Sequence, residues 1–190
     1  MKILLMVNIT KLQNSYLRIK DFINKTPILI SEKLNQDFNA SFYLKNEVDQ
    51  VTGSFKIRGA LSALSKLKEK NINGVVAYSS GNHAQGVSKA AQIFGMHAII
   101  VMPEDAPQNK IDKTLANGAE VVLYKRHIES REEIALKIAD EKQYPLVKPF
   151  DNEDIIAGQG SFGLEACEYF IQNDITPVSY THLTLPTRDD

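Results

Sequence analysis

Val75-Val76-Ala77-Tyr78-Ser79-Ser80-Gly81-Asn82-His83-Ala84-Gln85-Gly86 sets the fold class of this chain. Val75 to Tyr78 make a compact buried-strand pattern, and a polar turn follows. Beyond it Ala84, Val87, Ala91 and Phe94 recur at three- and four-residue steps until Gly95 closes a helix. The alternation continues downstream. Residues 97–101 form a second strand, and Pro103 and Pro107 punctuate the loop after it. Ile111 and Leu115 mark a short helix that ends at Gly118, and residues 119–123 form a third strand. Ile134, Ala135, Ile138 and Ala139 line the inner face of another helix, and Pro145-Leu146-Val147 is a fourth, weaker strand. Strand–helix alternation at this spacing predicts an α/β fold with a small parallel sheet covered on both faces.

Ahead of this unit, Ser54 is placed to cap a helix whose apolar side carries Ile57, Ala60, Leu61, Leu64 and Leu67. Behind it, Leu164, Cys167 and Ile171 mark one more amphipathic helix, with Cys167 read as core. Residues 179–190 show neither helical period nor a strand-and-turn context and read as a disordered tail.

The bulk properties narrow the classes of function. With 22 basic and 23 acidic residues among 190, the chain lacks the excess of Lys and Arg on which nucleic-acid affinity rests. One cysteine, Cys167, forms no internal disulfide and fits a reducing compartment. The opening apolar run meets Asn8, Thr10 and Lys11 too early for a secretory core, and no run approaches membrane-spanning length. The expectation is a cytoplasmic protein with neither nucleic-acid nor membrane partners.

Three constellations bear on chemistry. Lys56, in Thr52-Gly53-Ser54-Phe55-Lys56-Ile57-Arg58-Gly59-Ala60, is by position alone a surface lysine or an imine-forming amine. Imine chemistry needs an unprotonated amine, hence desolvation or a facing cation. Phe55 and the apolar helix face offer desolvation; Arg58 is assignable to the surface, and Gly53 and Gly59 leave room for a flat ring. The 79–86 turn sits at the carboxyl end of a parallel strand and at a helix N-terminus, where free amides and the helix dipole attract anions. A plain capped turn uses the same residue types. Gly158-Gln159-Gly160-Ser161-Phe162-Gly163 satisfies G-x-G-x-x-G, but the acidic segment before it is no buried strand, which argues against a dinucleotide loop. His83, His97, His127 and His182 are isolated, so no metal site is expected. Glu129, Arg131, Glu132 and Glu133 read as a solvated helix face.

These segments resemble the threonine/serine dehydratases and serine racemase, pyridoxal-phosphate enzymes of the tryptophan-synthase-β type. Residues 52–60 and 79–86 carry the likeness, with Ile100-Val101-Met102-Pro103, Ala106-Pro107, Gly118-Ala119-Glu120-Val121-Val122, Pro149-Phe150-Asp151 and Ile156-Ala157-Gly158-Gln159-Gly160. The resemblance implies fold type II, with a complete small parallel-sheet domain at 71–151 and an incomplete large domain at 1–70 and 152–178. It implies that Lys56 is the Schiff-base lysine, that Phe55 packs beside the cofactor ring, and that Asn82 hydrogen-bonds the cofactor's phenolic oxygen. Ser79, Ser80, Asn82 and His83 would grip the carboxylate of an amino-acid substrate. Lys56, once displaced, would take the α-proton; loss of the β-hydroxyl gives an aminoacrylate that hydrolyses to a keto acid and ammonia. Many threonine dehydratases resemble this chain but carry alanine where Ser80 stands, whereas serine racemase and hydroxyaspartate dehydratases carry serine. Ser80 would then protonate the α-carbon from the face opposite Lys56.

The likeness runs from about residue 20 to 175. After Ile175-Thr176-Pro177-Val178 the family continues into a glycine-rich phosphate loop, a pyridine-nitrogen partner and, in some members, a metal site. Residues 179–190 match none of it, so the expectation is a truncated chain with weak cofactor affinity and little turnover. Full-length relatives are expected to be homo-oligomers. A non-catalytic amino-acid-binding module is the rival reading. A sulfur-transferring synthase of the same fold is disfavoured by Gly158-Gln159-Gly160, which resembles the dehydratases.

Overall fold

In the computed structural model residues 7–178 are described, so the tail at 179–190 lies outside the described residues. Helix α1 (Ile9–Ile19), strand β1 (Ile28–Ile30), helix α2 (Glu32–Phe38), strand β2 (Tyr43–Lys45) and helix α3 (Lys56–Glu69) come first. The sheet unit follows as β3 (Gly74–Tyr78), α4 (Asn82–Phe94), β4 (His97–Pro103), α5 (Gln108–Ala116), β5 (Glu120–Tyr124) and α6 (Arg131–Lys142). Helix α7 (Glu153–Gln172) then returns to pack on α1 and α3.

Strands β3, β4 and β5 lie side by side in that order, all parallel, with Val75 opposite Ala98 and Ile100 opposite Val121. Successive strand side chains face opposite ways. Val75, Ala77, Ala98, Ile100 and Met102 accordingly enter one core with α3 and α4. Val76, Tyr78, Ile99 and Val101 enter a second, against Ala135 and the partly buried Ile134, Ile138 and Ala139 of α6. Both faces are covered, as the strand–helix alternation requires. Helix α4 ends on Gly95 at φ +60°, the left-handed cap that lets its amide turn back to Ala91 and Gln92.

Four expectations are corrected, while the reading against a dinucleotide loop at 158–163 agrees with the helix found there. Pro145-Leu146-Val147 makes one parallel bridge, Val76 to Leu146, rather than a strand. Its bonds are Val76 N–H to Pro145 O at 3.0 Å and Val147 N–H to Val76 O at 2.8 Å; Pro145 itself has no amide hydrogen to give a ladder. Ser54 does not cap α3, which starts from Phe55 without a side-chain cap; the Ser54 hydroxyl is buried and unpartnered. Leu115 is half exposed, and Thr114 takes the buried place beside Ile111 on α5. Gly158 to Gly163 lie inside α7, whose start is capped by the Asn152 side chain. A Cβ on Gly158 would lie 2.4 Å from the Arg58 carbonyl oxygen and 2.8 Å from Gly59 Cα, and one on Gly59 would lie 2.8 Å from Ile155 O, so Gly158 and Gly59 serve a close α3–α7 crossing. Cys167 and Ile171 face outward on that helix and are not core.

Candidate active site

Lys56 is the first residue of α3. Its half-buried side chain donates from Nζ to the Pro149 carbonyl oxygen at 3.1 Å, and Nζ lies 5.2 Å from the centre of the Phe55 ring. Burial lowers the ammonium pKa below the ordinary lysine value. Phe55 is itself held edge-on by Phe162 of α7, ring centres 6.4 Å apart. Desolvation by Phe55 and the helix surroundings is therefore the operative effect.

Arg58 takes no part in this. It is fully buried, against the expected surface position, and pairs with Glu47 through Nε at 2.7 Å and with Glu165 through Nη1 at 2.8 Å. Lys45 adds a fourth charge, 2.5 Å from Glu165. Burial pushes the Glu47 carboxyl up, but hydrogen bonds from Arg58 and Thr26 outweigh it and hold the group below the usual carboxylate range. An arginine two residues along a helix points away from its neighbour, and here it ties α3 to α7 and to the segment just after β2.

The second half of the site is the end of β3. Ser79 is still held by the sheet, its N–H bonding Val101 O at 3.1 Å, while its hydroxyl accepts the Gly81 N–H at 3.2 Å. Gln85 N–H is bonded to Gly81 O, at 3.3 Å, so the amides of Asn82, His83 and Ala84 occupy the first turn with no carbonyl of the helix behind them. That end attracts negative charge. The half-buried Ser80 hydroxyl and the Asn82 amide nitrogen have no hydrogen-bond partner among the described residues.

Gly86 brings the two halves together. A Cβ there would sit 3.1 Å from Lys56 O and 3.3 Å from Ile57 N, so the beginnings of α3 and α4 pack backbone to backbone. His83 is close enough to Lys56 for the lysine's charge to act on it. Its ring is buried, with Nε2 3.0 Å from Val147 O and Nδ1 unpartnered. Burial, reinforced by the Lys56 charge, lowers its pKa to about 4. As a neutral ring committed through Nε2–H to Val147, it has only an acceptor left, which cannot grip a carboxylate. His83 offers an anion its main-chain amide alone. Sequence reasoning gave no role to Val147, nor to Lys110, whose Nζ lies 3.0 Å from Asn82 Oδ1.

A desolvated amine, an aromatic ring beside it, and a turn rich in hydroxyls and amides together suit a flat aldehyde cofactor and an anionic substrate. Those are features that an enzyme using an aldehyde cofactor requires. The chain belongs to the family described as pyridoxal-phosphate dependent enzyme, whose model matches residues 19–183. It is 46% identical over 158 residues to an L-threo-3-hydroxyaspartate ammonia-lyase of Saccharomyces cerevisiae, covering 83% of this chain and 48% of that protein. It is 43% identical over 152 residues to a serine racemase of Schizosaccharomyces pombe, covering 80% and 47%. The crystal structure of the serine racemase from Dictyostelium discoideum superposes with a TM-score of 0.80 at 38% identity, over 86% of this chain and 54% of that one. The chain thus spans about half the length of the curated relatives it matches, and the fold is type II of the pyridoxal-phosphate enzymes.

Proposed function

We propose that the protein catalyses pyridoxal-phosphate-dependent β-elimination on a hydroxy-amino acid, releasing a 2-keto acid and ammonia. The observation that carries this reading is Lys56: a lysine with lowered pKa, in contact through its backbone with the helix that opens at Asn82. When bound, the cofactor supplies an electron sink for the charge left as the α-hydrogen departs as a proton. Lys56 would hold the cofactor through its amine and, once free, would be the neutral amine that accepts that proton, since burial favours the uncharged form. Phe55 would pack beside the cofactor ring. The first-turn amides of α4, with the Ser79 and Ser80 hydroxyls, would bind the substrate carboxylate, and Asn82 would donate to the cofactor's ring oxygen. These residues fit the ring and aldehyde end of the cofactor; a glycine-rich cradle for its phosphate is not found among the described residues.

Ser80 supports a second reading. A hydroxyl free of protein partners, able to return a proton to the α-carbon, suits racemisation of serine or dehydration of 3-hydroxyaspartate, the chemistries named for two of the relatives. The reading includes a small domain at 71–151, a partial large domain at 1–70 and 152–178, a cytoplasmic location and a homo-oligomeric full-length protein. Incubation with threonine, serine and 3-hydroxyaspartate tests it. Keto-acid release from one of them, lost in Lys56→Ala, is expected; amino-acid binding unaffected by Lys56→Ala, without turnover, would instead identify a binding module. Inversion of serine that disappears in Ser80→Ala would assign the racemase.

A further inference from the structure

Lys110 reaches from the first turn of α5 to the first turn of α4. Its Nζ lies 3.0 Å from Asn82 Oδ1 and 3.4 Å from Gln85 Oε1. A lysine ammonium only donates, so this contact decides which way the Asn82 amide faces: oxygen toward Lys110, nitrogen away from it. The nitrogen has no partner among the described residues. The lysine springs from an anchored turn, because Ile111 is buried beside it and the fully buried Thr114 returns its hydroxyl to Lys110 O at 2.8 Å.

We propose that Lys110 is a positioning residue, holding Asn82 by its side-chain oxygen so that the amide hydrogens face the cofactor. This rests on the reading above, in which Asn82 meets the cofactor's ring oxygen. Two effects follow from the geometry. The amide is fixed in one of two orientations that would otherwise interchange freely at an accessible site, so less freedom is lost on binding. The cation also polarises the amide and strengthens the N–H it presents to an anionic oxygen. Because the Lys110–Asn82 contact is open to solvent, it adds little to the stability of the fold; its effect falls on the cofactor.

The test separates the two layers. In the cofactor-free chain, side-chain amide NMR should show Asn82 ordered in wild type, averaged in Lys110→Met, and ordered again in Lys110→Arg. Pyridoxal phosphate titrated by its visible absorbance should bind roughly tenfold more weakly to Lys110→Met, the scale of one charge-assisted hydrogen bond. Lys110→Arg should recover most of the affinity, and Lys110→Met should add nothing to Asn82→Ala. An unchanged Asn82 amide and unchanged affinity in Lys110→Met would overturn the proposal, as would losses that add in the double variant. A wild-type chain with an ordered Asn82 but no visible band at any cofactor concentration would overturn the functional reading and, with it, the assigned purpose of Lys110.

Discussion

At the scale of single residues, the site is governed by what burial does to two bases. Lys56 and His83 both have lowered pKa values because both are desolvated, and each consequence has a sign. For His83, the folded value of about 4 lies below the ordinary 6.5, so between those values the unfolded chain binds the extra proton. Stability is then complete above about pH 6.5 and declines as pH falls toward 4, by on the order of 3 kcal/mol in all. Urea midpoints measured at pH 7 and pH 4.5 should differ more in wild type than in His83→Gln, whose amide can still donate to Val147 O. Equal differences would remove His83 as the source. For Lys56 the lowered value puts more neutral amine in place near neutral pH, so turnover should rise with pH on an acid limb in wild type; a rate that does not change from pH 6 to 9 would contradict Lys56 as the base.

The 52–60 and 79–86 segments put Lys56, Phe55, Ser79, Ser80 and Asn82 forward through their resemblance to the family, since the residues alone left each with an ordinary structural reading; that the two segments lie against each other is what the structure adds. Two features were not legible. The inward turn of the His83 ring depends on Val147, which lies 64 positions away in sequence. The burial of Arg58 depends on Glu47 and Glu165, so a charged residue in an apolar helix reads as exposed until both partners are placed.

At the scale of elements, periodicity gave β3 and α4 to within about two residues, β4 two residues short, and the inner face of α6 without its ends, since each buries a face whose pattern follows from its own geometry. It did not reveal α1, α2 or the antiparallel pairing of β1 with β2, elements that expose much of their surface and have short, weak patterns. The Asn8 and Ser31 caps were the available signals. Helix α7 was read only in its second half, because its glycine-rich first half has little helical pattern, and the crossing with α3 that requires Gly158 is not visible from one segment. That crossing makes a sharp contrast. Gly158→Ala places a Cβ 2.4 Å from a backbone oxygen and should cost about 1–3 kcal/mol. Gly163→Ala, where a Cβ meets nothing within 4 Å, should be neutral or gain up to about 1 kcal/mol of helix propensity. Denaturant unfolding of the pair measures both, and equal effects would mean that the crossing is looser than this packing requires. The same logic applies to the buried charges. Arg58→Met leaves Glu165 without its main partner and should destabilise by about 3–5 kcal/mol, while Glu168→Gln, at an exposed pair with Lys25, should change stability by less than about 1 kcal/mol.

At the scale of the whole molecule, a neutral balance of charge and a three-stranded parallel sheet leave one region where chemistry concentrates, the meeting of α3 and α4. Among the described residues no helix is long and apolar enough to cross a membrane, and no cluster of acidic, histidine or cysteine side chains is arranged for a metal. The fold class followed from strand–helix alternation alone. The proposed assignment of the site to a lysine-borne cofactor came from the resemblance of residues 52–60 and 79–86 to the family; what the structure adds is that these two segments, separate in sequence, meet. Borohydride reduction of the protein in pyridoxal phosphate, followed by peptide mass mapping, is the sharpest check on that assignment. Reduced cofactor attached to Lys56 in preference to every surface lysine is expected; label spread over the surface lysines, with Lys56 unmodified, would refute it.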